Sequence, residues 1–169
     1  MKNKTSHLLA GGIIGAVSVL INVVFIVFDL TGNTKVSWIG SVINIGLLIY
    51  FILEFGKQNE YANSFGELFS FGFKATAFTT LILTAFMIIY SFTFPDAADK
   101  AMDIAREQMS NQPNMSEETI DSAIEMTKKF YFPILIGGTI FGTMLVGAFG
   151  SLIGAAVTKK NPSHPFQNQ

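Results

Sequence analysis

The sequence predicts an all-α fold: a polytopic bundle of four transmembrane helices, with an extramembrane helical hairpin between the third and fourth. Two observations carry this. Leu8–Phe28, Val36–Leu53, Ala75–Phe94 and Phe130–Thr158 run 21, 18, 20 and 29 residues without one Asp, Glu, Lys or Arg. A helix rises about 1.5 Å per residue, so roughly 20 residues cross a hydrocarbon core about 30 Å thick. A soluble helix of that length would need a polar face, and none of these has one. The second observation is that 12 of the 23 charged residues crowd into residues 95–129. The expected arrangement is a single membrane domain over residues 1–169. Its spans lie at about 8–30, 36–55, 69–94 and 133–158, with the hairpin at 96–129.

The first span starts behind Lys2 and Lys4 and could be mistaken for a signal peptide. Its uncharged core is too long for one, and Asp29-Leu30-Thr31-Gly32 follows instead of a small-residue cleavage site, so it reads as an uncleaved span. Gly11, Gly15, Ser18 and Asn22 fall on one helical face, and Asp29 is expected to extend it. Within lipid, bringing helices together gains no hydrophobic energy, so small and polar residues mark the contacts.

In the second span Ser37, Ser41 and Asn44 repeat the pattern. Counted from the loop between them, Asn22 and Asn44 come out at equal depth and are expected to touch. Two readings stay open for the pair: a hydrogen bond that fixes helix register, or a polar ligand or ion site.

The third span carries Thr76, Thr80 and Thr84 at four-residue intervals, with Thr79 beside them. Threonine can return its hydroxyl to the carbonyl one turn back, so a helix-contact face is the expectation. Ahead of it, Phe65, Leu68, Phe69 and Phe73 form an apolar face suited to an interfacial helix turning into the span. Glu67 and Lys74 are the charges of interest there. In the hairpin, Asp96 and Ser116 are the expected N-caps, and Asn111-Gln112-Pro113-Asn114 separates the two helices. Ala98, Met102, Ala105 and Met109 on one helix, and Ile120, Ala123, Ile124 and Thr127 on the other, form the inner stripes.

The fourth span is rich in glycine. Gly138/Gly142 and Gly150/Gly154 make two small-xxx-small pairs on different faces, so the helix is expected to pack on more than one neighbour. Pro133 is expected to kink or break it at its entrance. Trp38, Tyr50, Tyr90 and Tyr131 fall near span ends, as an aromatic belt requires.

Charge and composition exclude several functions. A net charge of −1 is wrong for nucleic acid, and the absence of cysteine rules out disulfides, thiolate nucleophiles and iron–sulfur sites. His7 and His164 stand at opposite chain ends, and H-E-x-x-H, G-x-S-x-G and P-loop patterns are absent. Neither enzyme activity nor a cofactor nor a metal is expected. Basic residues in the short terminal segments favour both termini in the cytoplasm.

The Phe65-Gly66-Glu67-Leu68-Phe69 entry to the third span, Met115-Ser116-Glu117-Glu118 and the tail Leu152–Lys160 resemble the domain-of-unknown-function family 4199, uncharacterised bacterial membrane proteins. The resemblance implies the bacterial inner membrane and a setting in lipid-linked sugar or envelope biogenesis. It implies no activity. The expected partners are the lipid bilayer and another membrane protein or a second copy of the chain. The expected role is a non-enzymatic accessory or scaffold subunit. The alternative is a small transporter or lipid-handling protein.

Overall fold

The computed structural model describes residues 5–31, 33–113 and 115–161. Lys2, Lys4, Asn114 and His164 lie outside them, as does the side chain of Ser37. Among the described residues there are six α-helices and no strand. They are α1 His7–Val27, α2 Thr34–Gln58, α3 Phe65–Thr93, α4 Ala97–Ser110, α5 Glu117–Lys129 and α6 Tyr131–Val157. Helices α1, α2, α3 and α6 are long and apolar enough to cross a membrane, which suggests a multi-pass membrane protein.

Local signals explain the helix ends. The Ser6 hydroxyl caps α1 by accepting the Leu9 N–H. At the other end Leu30 N–H donates to Phe25 O and Asp29 N–H to Ile26 O, the Schellman arrangement. Asp29 therefore adopts φ 54°, and the helix stops before it. This corrects the expectation that Asp29 extends the Gly11 face. α2 ends in the same way, with Tyr61 N–H on Gly56 O and Glu60 N–H on Lys57 O. Here Glu60 and Tyr61 are both left-handed, at φ 55° and 58°. The Asn161 N–H and side-chain amide donate to the carbonyls of Tyr61 and Glu60 and hold that turn.

α3 runs unbroken from Phe65, so no separate interfacial helix turns into the span. Ser64 and Glu67 start it with a capping box: Ser64 N–H donates to Glu67 Oε2 at 2.7 Å and Glu67 N–H to Ser64 Oγ at 3.3 Å. Pro133 is also corrected. It sits in the first turn of α6, where a backbone N–H has no intrahelical acceptor, so proline begins the helix without breaking it.

The chain divides into two compact units, Met1–Leu83 with Ile140–Gln169, and Thr84–Thr139. In the first, helix directions follow from which residues meet. Gly40 faces Ile21 and Phe25, and Thr5 bonds Gln58, so α1 and α2 are antiparallel. Phe55 stacks on Phe71 at 4.2 Å and Gly56 faces Leu68, so α2 and α3 are antiparallel too. Gly150 faces Leu48, Gly154 faces Ile52 and Gly56 faces Thr158, so α2 and α6 run parallel and keep register over three contacts spaced four residues apart. Residues 5–7, the α2–α3 loop and residues 158–161 thus share one end of this unit, as a four-span path requires.

The core is built from large side chains seated on glycines. Ile52, fully buried, lies against Gly72 of α3 and Gly154 of α6; a Cβ added to either glycine would stand 2.6 Å from its Cδ1. At Gly147 a Cβ would run into the Thr76 side chain, and at Gly11 into the backbone carbonyl of Ala75. Ala10, Ile14, Leu48, Phe51, Leu68, Phe71, Ala75 and Ala155 complete this core.

The second unit contains the hairpin. Met102 and Ile120, one from each expected stripe, are its buried residues, and the remaining stripe positions are half-buried. Arg106 pairs with Asp121 at 2.5 Å and Lys128 with Asp99 at 2.7 Å. The hydrogen bond to Asp99 raises the Lys128 ammonium above its usual pKa. Both pairs are exposed, so they orient the hairpin more than they stabilise it. Ser116 caps α5 as expected, accepting from Thr119 N–H. Asp96 does not cap α4: its backbone is already helical and its side chain makes no capping bond.

The glycine seats give a direct test. Gly147→Leu should cost about 1–3 kcal/mol or more through overpacking, and Ile52→Ala about 2–5 kcal/mol through the cavity it leaves. Gly142→Leu should leave the melting temperature in detergent within about 2 °C, since a Cβ there meets nothing within 4 Å. Equal losses at Gly142 and Gly147 would refute this packing.

Candidate functional site

Two groups of polar residues in the first unit could carry function: a seam inside the spans and a cleft at the end shared by the chain termini.

The seam is mostly closed on itself. Thr76 donates its hydroxyl to Gly72 O, Thr80 to Thr76 O and Ser151 to Gly147 O, each one turn back on its own helix. Other bonds cross between helices. Thr79 Oγ1 donates to Gly11 O at 3.0 Å, where the absence of a side chain lets α1 and α3 approach. Ser18 Oγ lies 2.6 Å from Asn44 Oδ1 and also reaches Ile14 O at 2.8 Å.

Asn44 therefore meets Ser18, not Asn22. The Asn22 amide donates to Ser18 O within its own helix, and that of Asn44 to Gly40 O. The expected Asn22–Asn44 contact is corrected by one turn, and the helix ends explain why. α1 stops at Val27 and α2 starts at Thr34. Ser18 then lies nine residues from its end and Asn44 ten, whereas Asn22 lies only five. Asn44 thus accepts from Ser18 across the helices and donates to Gly40 O on its own, which ties α1 to α2 at this level.

The remaining glycines of the sequence reading separate into two sets. Gly11, Gly15, Gly150 and Gly154 meet Ala75, Ile82, Leu48 and Ile52 respectively. At Gly138 and Gly142 an added Cβ would meet nothing within 4 Å among the described residues. Gly72 and Gly147, equally tight seats, were not singled out by paired-glycine spacing: Gly72 sits between Phe71 and Phe73, and Gly147 has no glycine four residues to either side.

The cleft encloses about 500 Å³ and opens to the outside, over a floor of Phe55 and Phe71. Its polar lining includes His7, Asn63, Ser64, Glu67, Ser70 and Lys74. Glu67 Oε2 is taken by the N–H and hydroxyl of Ser64. Asn63 Oδ1 is buried without a hydrogen-bond partner. Among the described residues the Lys74 ammonium has no ion-pair partner within 4 Å. The sequence marked Glu67 and Lys74 but not Asn63. The Ser64-x-x-Glu67 spacing was the available signal for this corner. Within the described residues no group of three or more His, Asp or Glu could hold a metal ion.

The seam can be tested by substitution. Ser18→Ala should cost about 0.6 to 2 kcal/mol, the range for a bond between membrane helices, and adding Asn44→Leu should recover part of it. Asn22→Leu alone should cost less than Asn44→Leu in the same melting assay; the reverse order would refute the Ser18–Asn44 bond.

No curated protein and no solved structure matches the chain. The model of one family, described as protein of unknown function (DUF4199), matches residues 9–160, nearly the whole length that carries the four long helices. The chain belongs to that DUF4199 family.

Proposed function

We propose that this protein is a non-enzymatic accessory subunit of the membrane, which acts by binding another membrane protein along α6. One observation carries the reading. The glycines of α6 that face the core are filled by Leu48, Ile52 and Thr76, whereas Gly138 and Gly142, four residues apart on one face, meet nothing within 4 Å among the described residues. Phe141 beside them is 71 % exposed. In lipid a bare glycine pair lets a second backbone come close, and an exposed phenylalanine supplies a knob for the partner's surface. A transporter reading has less support, because Thr76, Thr79, Thr80, Ser151 and Ser18 spend their hydroxyls on carbonyls and on Asn44, and of the threonine face only the Thr84 hydroxyl is buried without a partner among the described residues. The cleft favours a role in lipid handling as a second reading. A setting in lipid-linked sugar or envelope biogenesis rests on the family resemblance alone.

The native chain has no cysteine, so single cysteines report cleanly. A photo-crosslinker at Phe141 should join the protein to a specific membrane protein or to its own copy. Gly138→Leu with Gly142→Leu should remove the adduct at an unchanged melting temperature. An adduct that survives the double substitution would remove the basis for the proposal.

We further infer both termini in the cytoplasm of an inner membrane. Lys57, Lys74, Lys159 and Lys160 lie toward the end that residues 5–7 share with the tail, and basic residues in short flanking segments favour the cytoplasmic side. Cysteines replacing Ser110 and Lys160 should label from opposite faces of intact cells, Ser110 from outside; Lys160 labelled from outside with Ser110 protected would reverse the assignment, and both labelled from one side would overturn the four-span path.

A further inference from the structure

We propose that the cleft beside Lys74 binds the headgroup of a zwitterionic phospholipid carrying a primary ammonium, with the phosphate on Lys74 and the ammonium on Glu67 and Asn63. This site is independent of the α6 surface and of any partner there.

The charges come first. The cleft presents one cation and one carboxylate on the same helix, seven residues apart. Seven residues are close to two turns, so Glu67 and Lys74 share a face of α3 and stand about 10 Å apart along its axis. A phosphoethanolamine group with a charge-assisted hydrogen bond of about 2.8 Å at each end spans a similar length. A singly charged anion would satisfy Lys74 and leave Glu67 opposing it.

Depth gives the orientation. Lys74 is the last charge before the uncharged run Ala75–Phe94, and Ala75 packs against Gly11, three residues into the uncharged run of α1. Lys74 therefore stands at the edge of the hydrocarbon and Glu67 about two turns outside it. A glycerophospholipid presents its groups in that order, acyl chains inward, then phosphate, then ammonium. Phe55 and Phe71 floor the cleft, and His7 and Ser70 line it within reach of the same headgroup.

Hydrogen bonding selects the ammonium. Asn63 Oδ1 is buried and lacks a donor, and Glu67 Oε1 is left over once Oε2 has bonded Ser64. A primary ammonium has three N–H groups and can serve both oxygens. A choline headgroup has the same charges but no N–H, so it would leave Asn63 Oδ1 unsatisfied.

The test is native mass spectrometry of the full chain in mild detergent, titrated with dioleoyl phosphatidylethanolamine, phosphatidylcholine or phosphatidylglycerol. Phosphatidylethanolamine should bind about tenfold or more tightly than either of the others. Lys74→Gln and Asn63→Ala should each abolish that preference; Lys74→Arg and the hairpin control Lys128→Gln should keep it. Equal binding of the three lipids, or a preference unchanged in Lys74→Gln and Asn63→Ala, would overturn the site. Soluble phosphoethanolamine should fail to compete at lipid-equivalent concentration; competition there would show a site for the free phosphate ester and overturn the lipid assignment.

Discussion

Everything in the four-helix unit depends on Ile52 reaching between Gly72 and Gly154. In water a bundle is held by the gain from removing apolar surface, but lipid tails are as apolar as isoleucine, and that gain is absent between membrane helices. What remains is close contact, and close contact needs a place where one backbone is bare. Gly72 and Gly154 provide it on two helices at once, so a single side chain from α2 ties α3 and α6 together. Leu48 on Gly150 and Thr158 on Gly56 repeat the fit four residues to either side, which fixes the parallel register of α2 and α6. Apolar bulk left over, such as Leu81 at 66 % exposed and Ile89 at 65 %, suits an acyl-chain environment and calls for no protein neighbour.

The same scarcity of driving force governs the polar groups. A hydroxyl or amide in hydrocarbon must be satisfied by protein, and the shortest solution is the carbonyl one turn back. Thr76, Thr80, Ser151 and Asn22 all take it. Where two helices are already close a polar group can reach across instead, as Thr79 does at Gly11 and Ser18 at Asn44. The cross-helix bonds therefore follow from the glycine packing, and add register to contacts that small residues permit.

This ordering explains what the sequence made legible. The class of fold, the spans and the hairpin were readable because uncharged length and charge clustering are properties of composition, and composition is local. The Schellman ends were less so: Asp29 and Glu60 occupy left-handed positions that glycine usually takes, so α1 was read as running on past Val27. That error moved the depth of Asn22 by a turn and produced the wrong partner for Asn44. The glycines show the other limit. Spacing found Gly150 and Gly154 but ranked Gly138 and Gly142 beside them, and missed Gly72 between two phenylalanines, because a motif records which residues are small and not what lies opposite. Of the cleft, the charged pair was visible and Asn63 was not, since a lone asparagine in a loop has no pattern.

Division of the polar residues between seam and cleft then bears on function. Most of the seam's groups are consumed by structure, the Thr84 hydroxyl excepted, and changing the bonded ones should be felt as lost stability. Among the described residues the cleft keeps groups that the fold does not pair: the Lys74 ammonium without an ion pair, one Glu67 oxygen beyond its capping bond, and Asn63 Oδ1. The capping box accounts for Glu67 as the start of α3, whereas Lys74, exposed two turns further on at the hydrocarbon edge, makes no ion pair among the described residues and can carry its ammonium to the headgroup level. A charge at that level, with no ion-pair partner among the described residues, is well placed to meet a counter-charge from the membrane itself. A phosphate at the level of Lys74 supplies that counter-charge without disturbing a single packing contact of Ile52.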